Sequence, residues 1–153
     1  MNRRVGLSDE AAFELVPELN AHLAVACFLL HRYYARRWTL TEGRAALYTA
    51  FARSLWRSLD DLAGRVAALG GEPMADLAEQ FNACYLDLNT VTSGAHHDLV
   101  ALDLALERRT LAELRYSTLA AADREDFATE RLLKRLISES EDRVVRLARQ
   151  LEA

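Results

Sequence analysis

Leu47, Phe51, Leu55, Leu59, Leu62, Val66 and Leu69 recur in steps of four and three, and the pattern then stops at Gly70-Gly71-Glu72-Pro73. Steps of this size put one side chain per turn on the same side of an α-helix, so the segment carries one continuous apolar stripe. Such a stripe needs a partner to be buried against. Two glycines end the helix and Pro73 prevents its return. The same spacing recurs three more times. Leu19, Leu23, Ala26, Leu30 and Tyr34 carry a helix to about Trp38. Leu99, Leu102, Leu106 and Leu114 mark another from about Ser93 to Ala122, and Leu133, Ile137, Ser140, Val144, Leu147 and Leu151 mark one from about Phe127. With only 6 glycines and 2 prolines among 153 residues, little interrupts these helices. Four long amphipathic helices with a long connection between the second and third predict an all-α four-helix bundle.

The ends and joints read as follows. Ser8, with Asp9 and Glu10 behind it, has the form of a helix N-cap with an acidic first turn. A short helix then runs to Val16, and Pro17 either kinks it or opens the next helix at its first position. The division is therefore an N-terminal tail and short helix over residues 1–16 and a bundle over residues 17–153. Residues 74–81, MADLAEQF, form a short helix within the long connection, on the outside of the bundle or at an interface. Residues 123–126, DRED, are a polar turn.

Charge and composition exclude several function classes. A net charge of −4 gives no electrostatic footprint for nucleic acid. Arg3 and Arg4 can touch phosphates, but so short a tail supplies few contacts. No apolar run reaches membrane-spanning length and the N-terminus is too polar for a signal peptide, so the expected location is the cytoplasm, with no membrane partner. Cys27 and Cys84 fit no metal-binding spacing, and Cys27 reads as a small core residue.

Metal centres inside helical bundles are commonly built from Glu and from Glu-x-x-His on facing helices. This chain contains no Glu-x-x-His, which argues against a di-iron centre inside one bundle. Of its 4 histidines, His22 lies one turn after Glu18. The two have the spacing to share a surface metal and read instead as an exposed polar pair. His31, nine residues on, lies on the opposite side of the same helix, as an interface residue or a ligand. His96 and His97 stand near a helix start and read as capping and surface residues. Asp60 lies on or beside the apolar face of the second helix, and one turn on, where a second carboxylate would complete a metal site, stands Gly64.

Three blocks carry a resemblance to a known family. They are LNAHLAVACFLLHRYYARRW, LDDLAGRVAALGGEP and TERLLKRLISESEDRVVRL. Together they resemble, in order and spacing over roughly residues 17–150, the DNA-binding proteins from starved cells, the Dps mini-ferritins. The first resembles a family helix opened by Leu-Asn and closed by His-Trp. The second resembles an Asp-x-x-Ala-Glu-Arg helix that ends in Leu-Gly-Gly-x-Pro.

The resemblance implies a ferritin-like bundle assembled as a hollow dodecameric homo-oligomer. It implies iron as substrate and cargo, oxidised at sites shared between two-fold-related subunits and stored inside. The short helix of the connection would sit at that two-fold interface. Iron sequestration and DNA protection under stress are the implied functions. By the same resemblance the family's oxidation-site histidines fall at Arg37 and at Ala45, with Tyr48 the alternative to Ala45 because the preceding loop is shorter. The aspartate is Asp60 and the glutamate falls at Gly64. An auxiliary histidine falls at Tyr34, and the histidine typical of the last helix falls at Arg143. Acidic residues within Asp123–Glu130 would either line a cation pore or form an ordinary polar turn.

Iron binding needs neutral imidazole nitrogens and anionic oxygens, and a guanidinium offers neither. The expectation is a degenerate oxidation centre, with weak or no activity, in which Arg37 pairs with Asp60 within or across the two-fold interface. His31 and Asp60 remain the metal-ligand candidates. Three further roles stay open: iron storage through a non-standard site, an inactive shell that binds DNA or co-assembles with an active relative, and another cargo. The alternative of a different class is an inactive helical-bundle interaction protein without a shell.

Overall fold

The computed structural model describes residues 5–153, and Arg3 and Arg4 lie outside the described residues. Among the described residues the chain forms five helices and no strand. They are α1 (Asp9–Arg36), α2 (Glu42–Ala68), α3 (Leu77–Ala83), α4 (His96–Asp123) and α5 (Phe127–Glu152). Short links join α1 to α2 and α4 to α5, so each pair is an antiparallel hairpin. The connection through α3 carries the chain from one hairpin to the other, and α2 packs on α5 and α1 on α4. This is the ferritin-like four-helix bundle that the apolar spacing predicts.

Helix α1 opens as expected, with Ser8 Oγ accepting the Ala11 N–H at 3.0 Å. It does not break at Pro17. The proline lies inside one helix of 28 residues, so the short helix to Val16 is the first part of α1. Proline forfeits one backbone hydrogen bond there. Ala11, Ala12 and Leu15 before it and Leu19 and Leu23 after it are all buried in the same core, and that shared burial holds the helix continuous. Each fully buried leucine contributes about 1.5–3 kcal/mol.

Helix α2 ends in a Schellman turn. Gly70 adopts φ +84°, Gly70 N–H donates to Ala67 O at 3.0 Å and Gly71 N–H to Val66 O at 3.0 Å. Glycine tolerates the left-handed conformation without a Cβ clash. Helix α4 ends in the same way, except that Glu125 holds the left-handed position, at φ +58°. Asp126 then caps α5 and accepts a hydrogen bond from Arg65 at 2.7 Å. Asp126 is thus a buried structural acid within the polar turn.

The long connection is tied back to α1 by one side chain. Buried Asn20 donates from Nδ2 to Glu72 O at 3.1 Å, and its Oδ1 accepts the Met74 N–H at 2.9 Å. The short helix starts at Leu77, later than residue 74, because Asp76 caps it by accepting the Glu79 N–H at 3.0 Å. None of its residues is buried, and it lies on α1.

By length and hydropathy alone, α1 is long and apolar enough to cross a membrane, contrary to the expectation from apolar runs. Its apolar window is 56% buried inside the bundle. The helix also turns Asn20, His22, Arg32 and Arg36 into the interior, so its apolar side chains serve the core.

Gly71 leaves no room for a side chain. A Cβ built there would stand 2.7 Å from both methyl groups of Val16 and 3.1 Å from Val66 Cγ1. Gly71→Ala is expected to destabilise the protein by about 1–3 kcal/mol through overpacking. Adding Val16→Ala should recover much of that loss in thermal melts, because it removes the two closest contacts.

Candidate functional site

Arg37, Ala45, Asp60 and Gly64, where the resemblance puts the oxidation centre, lie at the surface in two hollows. Arg37 closes α1, with its guanidinium 4.9 Å from the centre of the Tyr34 ring. Its Nε is buried with no hydrogen-bond partner among the described residues. Arg37, Glu42, Ala45, Thr49 and Arg53 line a hollow of about 450 Å³. Asp60 and Gly64 are exposed on α2, in a second hollow of about 560 Å³ that also holds Asp61, Arg131 and Arg135. Asp61 is the paired acid here, bonded to Arg135. Asp60 makes no hydrogen bond or ion pair among the described residues, and the expected Arg37–Asp60 pair is not formed within the chain.

The donor chemistry of these positions does not fit iron oxidation. A guanidinium only donates hydrogen bonds. Ala45 and Gly64 have no side-chain donor atoms, and Asp60 is the one carboxylate left. Among the described residues no three His, Cys, Asp or Glu side chains of one chain stand together as a metal site.

Tyr48 and His31 go elsewhere. The Tyr48 hydroxyl points into the bundle and donates to Asp103 at 3.0 Å, with burial first and then the Asp103 charge pushing its pKa well up. His31 is exposed on α1 and lines an apolar cavity of about 310 Å³ between α1 and α3, together with Cys27 and Cys84. Asp60 does not line it.

The interior carries a charged core that the spacing did not reveal. Asp103 and Glu107, one turn apart on α4, are both fully buried. Arg32 Nε donates to Asp103 at 2.5 Å, Arg36 lies at 3.8 Å, and Arg32 also bonds the Val91 carbonyl at 2.8 Å. Glu107 receives three bonds, from Arg143 at 2.6 Å, from the Tyr33 hydroxyl at 2.8 Å and from Ser140 at 2.8 Å. Burial would loosen the Arg143 proton, and the Glu107 charge more than restores it. Burial drives the Tyr33 pKa well up, and the Glu107 and Asp103 charges add to it. Ser140 and Arg143, three residues apart on α5, both reach Glu107, and the guanidinium supplies the positive charge beside it. One signal was available in the sequence: Asp103 and Glu107 fall inside the apolar stripe of their helix, where a carboxylate needs a partner.

Two histidine readings are corrected. His22 is buried and has no bond to Glu18. Its Nδ1 is 2.9 Å from the Tyr85 hydroxyl and its Nε2 2.8 Å from Ser117 Oγ, because α4 and the connection close over that side of α1. Burial lowers its pKa to about 4. His96 is half-buried at the start of α4 and accepts a hydrogen bond from Arg36 at 3.1 Å, so it is more than a surface residue. His97 remains exposed beside Asp98.

Arg143→Met should cost about 3–5 kcal/mol, because it strands the Glu107 charge in the core. The double change Arg143→Met with Glu107→Met should recover much of that in denaturant unfolding. His22 sets an acid limit. It is neutral in the fold and ordinarily titrates near 6.5, so its contribution is full above pH 6.5 and is lost as pH falls from 6.5 through about 4. The loss reaches about 3 kcal/mol. The fall in melting temperature between pH 6.5 and 4 should flatten in His22→Gln.

Comparisons with known proteins agree with this architecture. Dps from Vibrio cholerae, described as a member of a broad superfamily of ferritin-like diiron-carboxylate proteins, superposes with a TM-score of 0.87 at 21% identity, over 96% of this chain and 94% of its own. An archaeal Dps homologue from Halobacterium salinarum gives 0.85 at 25% identity, over 93% and 81%. Mycobacterium smegmatis Dps gives 0.89 at 20% identity, over 97% and 93%. No curated protein matches the chain closely in sequence. The family model for the ferritin-like domain matches residues 18–153, and the chain therefore belongs to the ferritin-like family, with the fold of the Dps mini-ferritins.

Proposed function

We propose that this protein is a Dps-like shell subunit in which an Arg37–Asp60 ion pair, formed across the two-fold interface between copies, stands where the family's iron-oxidation centre would be. The carrying observation is a pair of free opposite charges. Among the described residues the Arg37 Nε is buried without a partner and Asp60 is exposed without one. Exposed Trp38, Trp56, Leu77 and Phe81 add apolar surface of the kind that subunit interfaces cover. In this reading the shell does not oxidise iron itself and holds either iron oxidised by a co-assembled active relative or another cargo. The net charge of −4 leaves DNA binding weak and salt-dependent.

Native mass spectrometry should give about twelve copies of the 17.2 kDa chain, and ferrous oxidation with oxygen or peroxide should match a buffer blank. Arg37→Asp and Asp60→Arg should each shift the assembly towards small species, and the two combined should restore it. A monomeric wild type would end the shell reading in favour of a bundle interaction protein. A protein-dependent oxidation rate would end the degenerate-centre reading. Failure of the charge swap would end the pair.

A further inference from the structure

The cavity between α1 and α3 brings together the chain's only two thiols. One side is α1, contributing Ala24, Cys27, Phe28 and His31, and Cys84 stands on the other, immediately after α3. The residue after Cys84 is fixed to α1, since the Tyr85 hydroxyl sits 2.9 Å from His22 Nδ1. Leu86 beyond it is buried. Cys84 is therefore held over the helix that carries Cys27. Both thiols are free and half-buried. The cavity, about 310 Å³, has room for a small oxidant.

We propose that Cys27 and Cys84 are a dithiol pair that a hydroperoxide oxidises to a disulfide, stapling α3 to α1. The Cys84 thiolate attacks one peroxide oxygen, the O–O bond breaks, and the departing hydroxide takes up a proton to leave as water. Cys84 is then a sulfenic acid. The Cys27 sulfur attacks it, the S–S bond forms as the S–O bond breaks, and a second water leaves with the Cys27 proton. In sum, two thiols and one hydrogen peroxide give one disulfide and two waters.

His31, one turn beyond Cys27 and lining the same cavity, supplies a base for the second proton. Burial raises the pKa of both thiols. The Cys84 charge adds to that rise at Cys27, while a backbone hydrogen bond at Leu86 opposes it at Cys84. Cys84 is proposed to meet the oxidant and Cys27 to resolve it, an order that the two single-serine variants below test.

The purified full-length protein, treated with hydrogen peroxide and mapped by peptide mass spectrometry without reductant, tests this. The expected product links the Cys27 and Cys84 peptides within one chain, with the loss of two hydrogens, and reductant reverses it. Non-reducing gels should keep the chain at monomer size, and the melting temperature should rise on oxidation. Cys27→Ser should accumulate a sulfenic acid at Cys84 that a dione probe captures, and Cys84→Ser should leave Cys27 largely as thiol. Circular dichroism on both variants separates loss of chemistry from loss of fold. Thiols that survive peroxide, cross-links only between chains, or over-oxidation of both sulfurs without a link would overturn the proposal.

Discussion

The fold depends on a carboxylate that has no water. Glu107 is fully buried in the middle of α4 and is held by Arg143 of α5, Ser140 of α5 and Tyr33 of α1. Three helices therefore meet at two oxygen atoms. Leaving such a group unpaired costs several kcal/mol, so the bundle forms only in arrangements that bring these partners together. One turn away Asp103 does the same with Arg32 of α1 and Tyr48 of α2. The apolar stripes drive the helices together, and the two carboxylates decide how they sit. Sliding one helix past another by a turn, about 5.4 Å, would keep leucine against leucine yet strand both charges. The polar core thus sets register, which an apolar surface sets only weakly.

This division of labour governs what could be read from the sequence. Stripes such as Leu47 to Leu69 are local, with a period fixed by helical geometry, and they gave the four long helices, the short fifth and the bundle. Local chemistry also gave the Ser8 cap and the glycine stop after α2. Pro17 misled because the breaking effect of proline is a local propensity, and the burial of Leu15 and Leu19 on either side of it is tertiary and overrides it. The pairings were not legible, since Glu107 meets Arg143 across 36 residues and Asp103 meets Arg32 across 71. His22 was misplaced for the same reason, as its partners Tyr85 and Ser117 come from elements far along the chain.

The candidate site shows the limit in another form. The identities of Arg37, Ala45 and Gly64 were enough to argue from donor chemistry that they offer a metal no ligand. Asp60 has no partner among the described residues, and no periodicity within one chain encodes what would answer it. Tyr48 and Ala45, one turn apart, differ in the fold, where α2 buries the first and leaves the second partly open.

The Asn20 clamp has a consequence for how surfaces are transmitted through this molecule. Its side chain holds both Glu72 and Met74, so the chain leaving α2 takes its bearings from the middle of α1. Helix α3 follows directly and also lies on α1. Its coordinates are therefore inherited from the first helix of the sequence, although it is joined to the second. A rotation of α1 about its own axis would carry α3 and its exposed Leu77 and Phe81 with it, as a rider moves with its mount.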